Sequence, residues 1–174
     1  APGPVPVVFS VVPAPVGSGF VNSLARPGGN ATGFTQFEYS ISAKWLELLK
    51  EISPRLTRVA VLRDSTGAAG VGQFAVIQAA AQSQGIEARS INVRDPAEIE
   101  RDVANFAGSP TDKNGMIVVS STNALVHREL IVKLAARQKL PTVYAQREFV
   151  NAGGLISYGT DIMALLHNAA GYVD

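Results

Sequence analysis

The sequence predicts an α/β fold, a doubly wound parallel sheet with flanking helices, on three observations. Apolar β-branched runs alternate with helical patterns along almost the whole chain. Several of these runs, such as Val59-Ala60-Val61-Leu62 and Met116-Ile117-Val118-Val119, are continuous rather than alternating, as strands covered on both faces must be. The stretches between them carry helix start and stop signals.

In chain order the strands are expected at Pro6 to Val12, Ala31 to Phe37, Arg58 to Arg63, Ala88 to Val93, Gly115 to Ser120, Thr142 to Ala145 and Leu155 to Tyr158. Ser42 is expected to cap the first helix. There Trp45, Leu48, Leu49 and Ile52 share a stripe, Lys44, Glu47, Lys50 and Glu51 face water, and Pro54 follows the end. The Ala-rich segment Phe74 to Gln84 is a second helix, stopped by Gly85. Asp95-Pro96-Ala97-Glu98 supplies a cap, a Pro in the first turn and an acidic residue ahead of the stripe Ile99, Val103, Phe106. Thr122 or Asn123 opens another helix, running to about Lys139 before Pro141, and Asp161 opens the last, expected to run on to Val173. The Pro/Gly-rich stretches Pro13 to Gly19 and Arg26 to Gly33 are loops.

Composition narrows the function. Of 174 residues 47% are hydrophobic, enough for a packed core, and 17% are charged, below the roughly 25% of an average soluble domain. A formal charge of +1 gives no electrostatic reason to expect nucleic acid or an anionic membrane as partner. The absence of cysteine excludes disulfides, Cys-ligated zinc, iron–sulfur clusters and thiol catalysis, and is compatible with export. The longest apolar runs fall far short of the roughly 18 to 20 residues of a membrane helix, so no direct membrane insertion is expected. A start at Ala1-Pro2-Gly3-Pro4, directly before strand-like residues, shows no signal peptide and reads as a piece excised from something longer.

Three chemical patterns compete. Gly67-Ala68-Ala69-Gly70-Val71-Gly72 follows a strand and precedes a helix, as the phosphate-binding turn of an NADP-dependent oxidoreductase would. Against it, Arg63 to Thr66 lengthen a turn that is normally tight, and Asp95, after the next strand, is committed to capping; a ligand-facing loop is the stronger reading of these glycines. His127 and His167 lie forty residues apart within helical patterns, without H-E-x-x-H spacing, so no metal site is expected; no G-x-S-x-G elbow exists either. The third pattern is a polar cluster at the carboxyl ends of consecutive strands: Asp64 and Ser65, then Ser121, Thr122 and Asn123, then Gln146. In an open parallel sheet those ends line one edge, and ligands bind there. Helix N-termini after Pro15 and at Thr122 are candidates for a ligand carboxylate, Asp64 for an ammonium group, and Tyr144 or Tyr158 for the flank of an aromatic ligand or, with equal weight, for the core.

Particular segments carry a family resemblance. Ser23-Leu24-Ala25-Arg26-Pro27-Gly28-Gly29-Asn30-Ala31-Thr32-Gly33-Phe34, then Lys44-Trp45-Leu46-Glu47-Leu48-Leu49, then Gly153-Gly154-Leu155-Ile156-Ser157-Tyr158-Gly159 resemble the substrate-binding proteins of ABC transporters in the group associated with tryptophan and tyrosine uptake. The resemblance spans essentially the whole chain. It implies a two-lobed periplasmic binding protein of type I, non-enzymatic and without cofactor, holding an amino-acid-like, aromatic solute between its lobes and handing it to an ABC permease from a periplasmic or extracytoplasmic position. On that plan residues 1–35 are a partial N-terminal lobe, 36–156 the second lobe, and 157–174 the crossover back. A departure from the family falls at Arg63-Asp64-Ser65, where relatives tend to carry Asn-Pro. The orphaned strand around Val5 to Val12 makes dimerisation of such a fragment a further expectation.

Overall fold

A computed structural model describes residues 5–17, 19–108 and 113–171. The Ala1-Pro2-Gly3-Pro4 start, Ser18, residues 109–112 and the expected helix end at 172–174 lie outside the described residues. The chain divides into two compact units, Ala1–Tyr39 with Thr160–Asp174, and Ser40–Gly159.

The second unit holds a parallel five-stranded sheet. Its strands are β3 (Arg58–Arg63), β4 (Glu87–Asn92), β5 (Asn114–Val118), β6 (Thr142–Tyr144) and β7 (Ile156–Ser157), in the spatial order β4-β3-β5-β6-β7. Two apolar clusters sandwich it. Val59, Val61, Ile117, Val119 and Val143 face α1 (Ile41–Ile52) and α2 (Ala68–Ser83), meeting Trp45, Leu46, Leu49, Ile77 and Ala81. Ala60, Leu62, Met116, Val118 and Tyr144 face α3 (Pro96–Ala107), α4 (Thr122–Val126), α5 (Arg128–Arg137) and α6 (Arg147–Asn151), meeting Ile99, Val103, Phe106, Ile131, Leu134 and Phe149. Successive residues of β3 therefore point into different cores, and both must be apolar; this is why the run is continuous.

Tyr144 belongs to the core. Its ring stacks on Phe149 at 4.9 Å, and burial pushes its hydroxyl up to about 12, so of the two roles the sequence left open, ligand flank or core, it takes the core. Gly154 lets the chain pass over this pair, because a Cβ there would come within 2.7 Å of the Tyr144 ring and 2.8 Å of the Phe149 carbonyl.

The helix ends are partly as expected. Asp95 caps α3 by accepting from the Glu98 amide at 2.9 Å, with Pro96 in the first turn, and Asp161 accepts from Ala164 N at 3.1 Å to cap α7 (Ile162–Ala170). Elsewhere the boundaries differ. Ser40, not Ser42, is the N-cap of α1, and Ser42 lies inside the helix, fully buried. α2 begins six residues before Phe74, at Ala68, because its glycines join the helix. The helix expected from Thr122 to Lys139 does open at Thr122, capped by Ser121, but it breaks at His127 into α4 and α5. Arg147 to Asn151, for which the sequence predicts no element, form α6.

The first unit is slighter. β1 (Val7–Val12) and β2 (Ala31–Thr35) form a parallel pair, and α7 packs on them without burying any of its described side chains. No helix follows Pro15; Pro15 to Gly17 form a turn. Gly33 has φ of +156°, and a Cβ there would sit 1.9 Å from the Phe9 carbonyl, so the β1–β2 approach requires glycine.

Candidate functional site

The strand order of the second unit reverses direction once. After β3 the chain passes through α2 to reach β4 on one side; after β4 it returns past β3 to form β5 on the other. The carboxyl ends of β3 and β5 are therefore neighbours whose following segments depart over opposite faces of the sheet, leaving a crevice between them.

Asp64 stands at that point. Its Oδ1 accepts from the Thr66 backbone N–H at 2.9 Å and the Thr66 hydroxyl at 2.8 Å, and its Oδ2 accepts from Asn123 Nδ2 at 2.8 Å. Those bonds to Thr66 and Asn123, with the nearby Arg94 charge, hold its carboxyl below the usual carboxylate range, so Asp64 is an anion at neutral pH. A carboxylate accepts at about four positions; three are used here, leaving capacity for an incoming cationic N–H group.

Ser65 is drawn the other way, its N–H and hydroxyl donating to Asn92 Oδ1 at 3.4 and 3.2 Å. Ser121 accepts from the Ala124 amide at 3.3 Å, fixing the start of α4, and Thr122 follows it, exposed. Gln146 occupies the N-cap position of α6 beyond β6, and its Oε1 is buried without a partner. Tyr158 lies past β7: its backbone N–H donates to the Tyr144 carbonyl at 2.9 Å, its own carbonyl accepts from Trp45 Nε1 at 2.6 Å, and its ring is 46% exposed. Of the seven residues singled out from the sequence, Asp64 and Asn123 are the pair bonded directly; Ser65, Ser121 and Thr122 are their chain neighbours, while Gln146 and Tyr158 follow the next two strands. A five-residue α4 is too short to offer the strong helix N-terminus expected at Thr122.

Two polar residues that the sequence did not mark as site candidates are buried without partners. Gln73 is fully buried on α2 with neither amide atom bonded, and Ser42 is fully buried on α1 with its hydroxyl unpaired. A signal existed for Gln73: it occupies a core position of the stripe Gln73, Ile77, Ala81, where an apolar residue belongs.

The glycine turn loses its nucleotide role. Gly67 is the N-cap of α2, while Gly70 and Gly72 lie within the helix. Gly70 abuts the Asp64 loop so tightly that a Cβ would lie 2.4 Å from the Asp64 carbonyl, so packing accounts for this glycine. Among the described residues no group of three or more His, Asp or Glu is placed to hold a metal ion, and no helix is long and apolar enough to cross a membrane.

An ionised carboxylate thus stands at the switch point of a doubly wound parallel sheet, the edge at which open α/β sheets bind ligands. Over residues 2–174 the chain matches the family described as ABC transporter substrate binding protein, and it belongs to that family. It is 26% identical over 166 residues to a tyrosine-binding protein of Clostridioides difficile, covering 95% of this chain and 46% of that one. Among solved structures it resembles a conserved domain protein of Vibrio cholerae, with 25% identity and a TM-score of 0.80. It also resembles an ABC domain from Streptococcus pneumonia in complex with L-Trp, with 22% identity and a TM-score of 0.79. Each of these two structures covers 99% of this chain, which in turn covers 57% of each. The chain thus spans about half the length of the relatives it matches.

Proposed function

We propose that this chain is part of the ligand-binding machinery of an extracytoplasmic ABC importer receptor. It takes an amino-acid-like, aromatic solute and delivers it to a membrane permease, binding without catalysis. The observation that carries this reading is the Asp64–Asn123 pair at the switch point: an ionised acceptor with capacity to spare, held by the Asn123 amide and by the Thr66 hydroxyl and backbone N–H. Family membership and the L-Trp named with one relative support the solute class.

On this reading the unit Ser40–Gly159 is the second lobe and Ala1–Tyr39 with Thr160–Asp174 belongs to the first, the rest of which lies in the additional length that the relatives carry. Asp64 takes the ligand ammonium, while Thr122 and Gln146 supply polar contacts to the remainder of its head group. Ser65 and Ser121 hold the two loops in place through Asn92 and Ala124.

Calorimetric titration of the full-length protein with L-tryptophan, L-tyrosine and a panel of other amino acids tests the reading. Saturable binding of an aromatic amino acid is expected. Asp64→Ala is expected to weaken it about tenfold to a hundredfold, the range for a lost hydrogen bond to a charged group. Silence across the panel overturns the proposal.

A further inference from the structure

β4 is an edge strand, and its ladder bonds run to β3 alone: the Glu87 N–H donates to the Thr57 carbonyl at 2.9 Å and, just past the strand, the Val93 N–H to the Arg63 carbonyl at 3.1 Å. Amide groups alternate sides along a strand, so Ala88, Ser90 and Asn92 turn their N–H and C=O groups to the open side. Among the described residues no strand pairs there. An open row of this kind is a template for another strand. α2 and α3 pack on β4, and α2 brings no charged side chain to it.

The charges on β4 select what can pair with it. Glu87 and Arg89 are both exposed and, two residues apart, stand on one face, where Glu87 Oε2 accepts from Arg58 Nε at 3.3 Å. Among the described residues Arg89 makes no ion pair. Charged side chains on an edge keep strands apart when they meet their like. Two of opposite sign complement themselves when the strand is turned round. An antiparallel pair of β4 strands centred on Glu87 sets Glu87 against Glu87, and one centred on Arg89 sets Arg89 against Arg89. Centred on Ser90, the pair sets Arg89 against Ile91 and Glu87 against Val93. Centred on Ala88, it sets Glu87 of each copy against the partner's Arg89, twice by symmetry. That register bonds the outward groups of Ala88 to each other and leaves the charged residues in the closer, non-hydrogen-bonded positions, about 4.5 Å apart at Cα.

We infer that β4 is a self-association edge: two copies of the chain pair antiparallel through it, centred on Ala88, with Glu87 of each copy between its own Arg58 and the partner's Arg89. The partner is a second copy because the same strand, reversed, presents Arg opposite Glu at both positions. The two five-stranded sheets become continuous. Antiparallel pairing sends their carboxyl edges, and with them the two Asp64 residues, to opposite ends of the pair.

Sedimentation velocity of the full-length protein over a dilution series tests this, for the native sequence, Arg89→Glu, Ala88→Pro, and the exchange Glu87→Arg with Arg89→Glu. The native protein is expected to show a concentration-dependent dimer. Arg89→Glu sets like charges opposite each other twice and is expected to raise the dissociation constant about tenfold or more. The exchange restores both opposite-charge pairs across the junction and is expected to bring the constant back to within about threefold of native. Ala88→Pro removes an outward N–H that β3 does not use, so it is expected to abolish the dimer while the circular dichroism spectrum stays native. A native protein that is monomeric at every concentration overturns the inference, and so does a dimer that Arg89→Glu and Ala88→Pro both leave unchanged. A weakened Arg89→Glu dimer that the exchange fails to restore overturns the Ala88 register. All of these are read without ligand, so none of them bears on the receptor reading.

Discussion

The two units of the chain use the same local pieces, parallel strands and an amphipathic helix, with different results. In Ser40–Gly159 every central strand position faces a helix, and two apolar clusters close around the sheet. In Ala1–Tyr39 with Thr160–Asp174, two strands carry one helix, and the buried apolar side chains among the described residues are Ala14, Pro15, Val21 and Phe37, while Met163 and Leu166 on α7 are exposed. A parallel sheet is stable when both faces are covered, and two strands alone are marginal. Among the described residues apolar burial is thus concentrated in the second unit. The site candidates follow the same division, since all seven belong to the second unit.

The sharpest way to break this comparison is to truncate one apolar side chain in each unit. Leu49→Ala, in the core of the second unit, is expected to cost about 3 kcal/mol in urea unfolding, while Leu166→Ala on the exposed α7 stays within about 0.5 kcal/mol. Comparable losses would show that the first unit is as well packed as the second.

A smaller effect separates two glycines. A Cβ at Gly70 meets the Asp64 carbonyl at 2.4 Å, whereas at Gly29 in the first unit it meets nothing within 4 Å. Gly70→Ala is expected to destabilise by about 1 to 3 kcal/mol and to disturb the Asp64 loop, and Gly29→Ala to leave stability within about 0.5 kcal/mol.

The smallest effect sharpens the site itself. The Asp64 carboxyl is held below its ordinary value by Thr66 and then Asn123, so its ionised form stabilises the fold. That contribution is complete above the unfolded carboxyl range near pH 4 and is lost as pH falls through the lower folded value. Because the group is partly exposed, it amounts to less than about 1 kcal/mol. Asp64→Asn should remove this acid-side slope from the stability profile, and an unchanged slope would show that the Thr66 and Asn123 bonds are not made in solution.

Much of the second unit was legible because its strands lie between two cores, which forces continuous apolar runs at Val59 to Leu62 and Met116 to Val119. Caps that use a side chain, Asp95 and Asp161, were equally readable. Boundaries without one were not: α1 starts from a Ser40 that makes no capping bond and α2 from Gly67, so local chemistry marked neither start. The helix break at His127 carries no Gly or Pro, so no breaker residue marks it in the sequence.

By itself the sequence determined the layer architecture, the absence of thiol chemistry and the polar character of the strand ends, because periodicity and composition are local properties of the chain. Tertiary structure decided which polar residues meet. Strand order is invisible to periodicity, yet it alone places β3 beside β5 and so joins Asp64 to Asn123, fifty-nine residues apart. It also decided that Tyr144 is core, that Gly70 serves packing, and that Gln73 and Ser42 are buried without partners, since each depends on what the neighbouring helix brings to the same place.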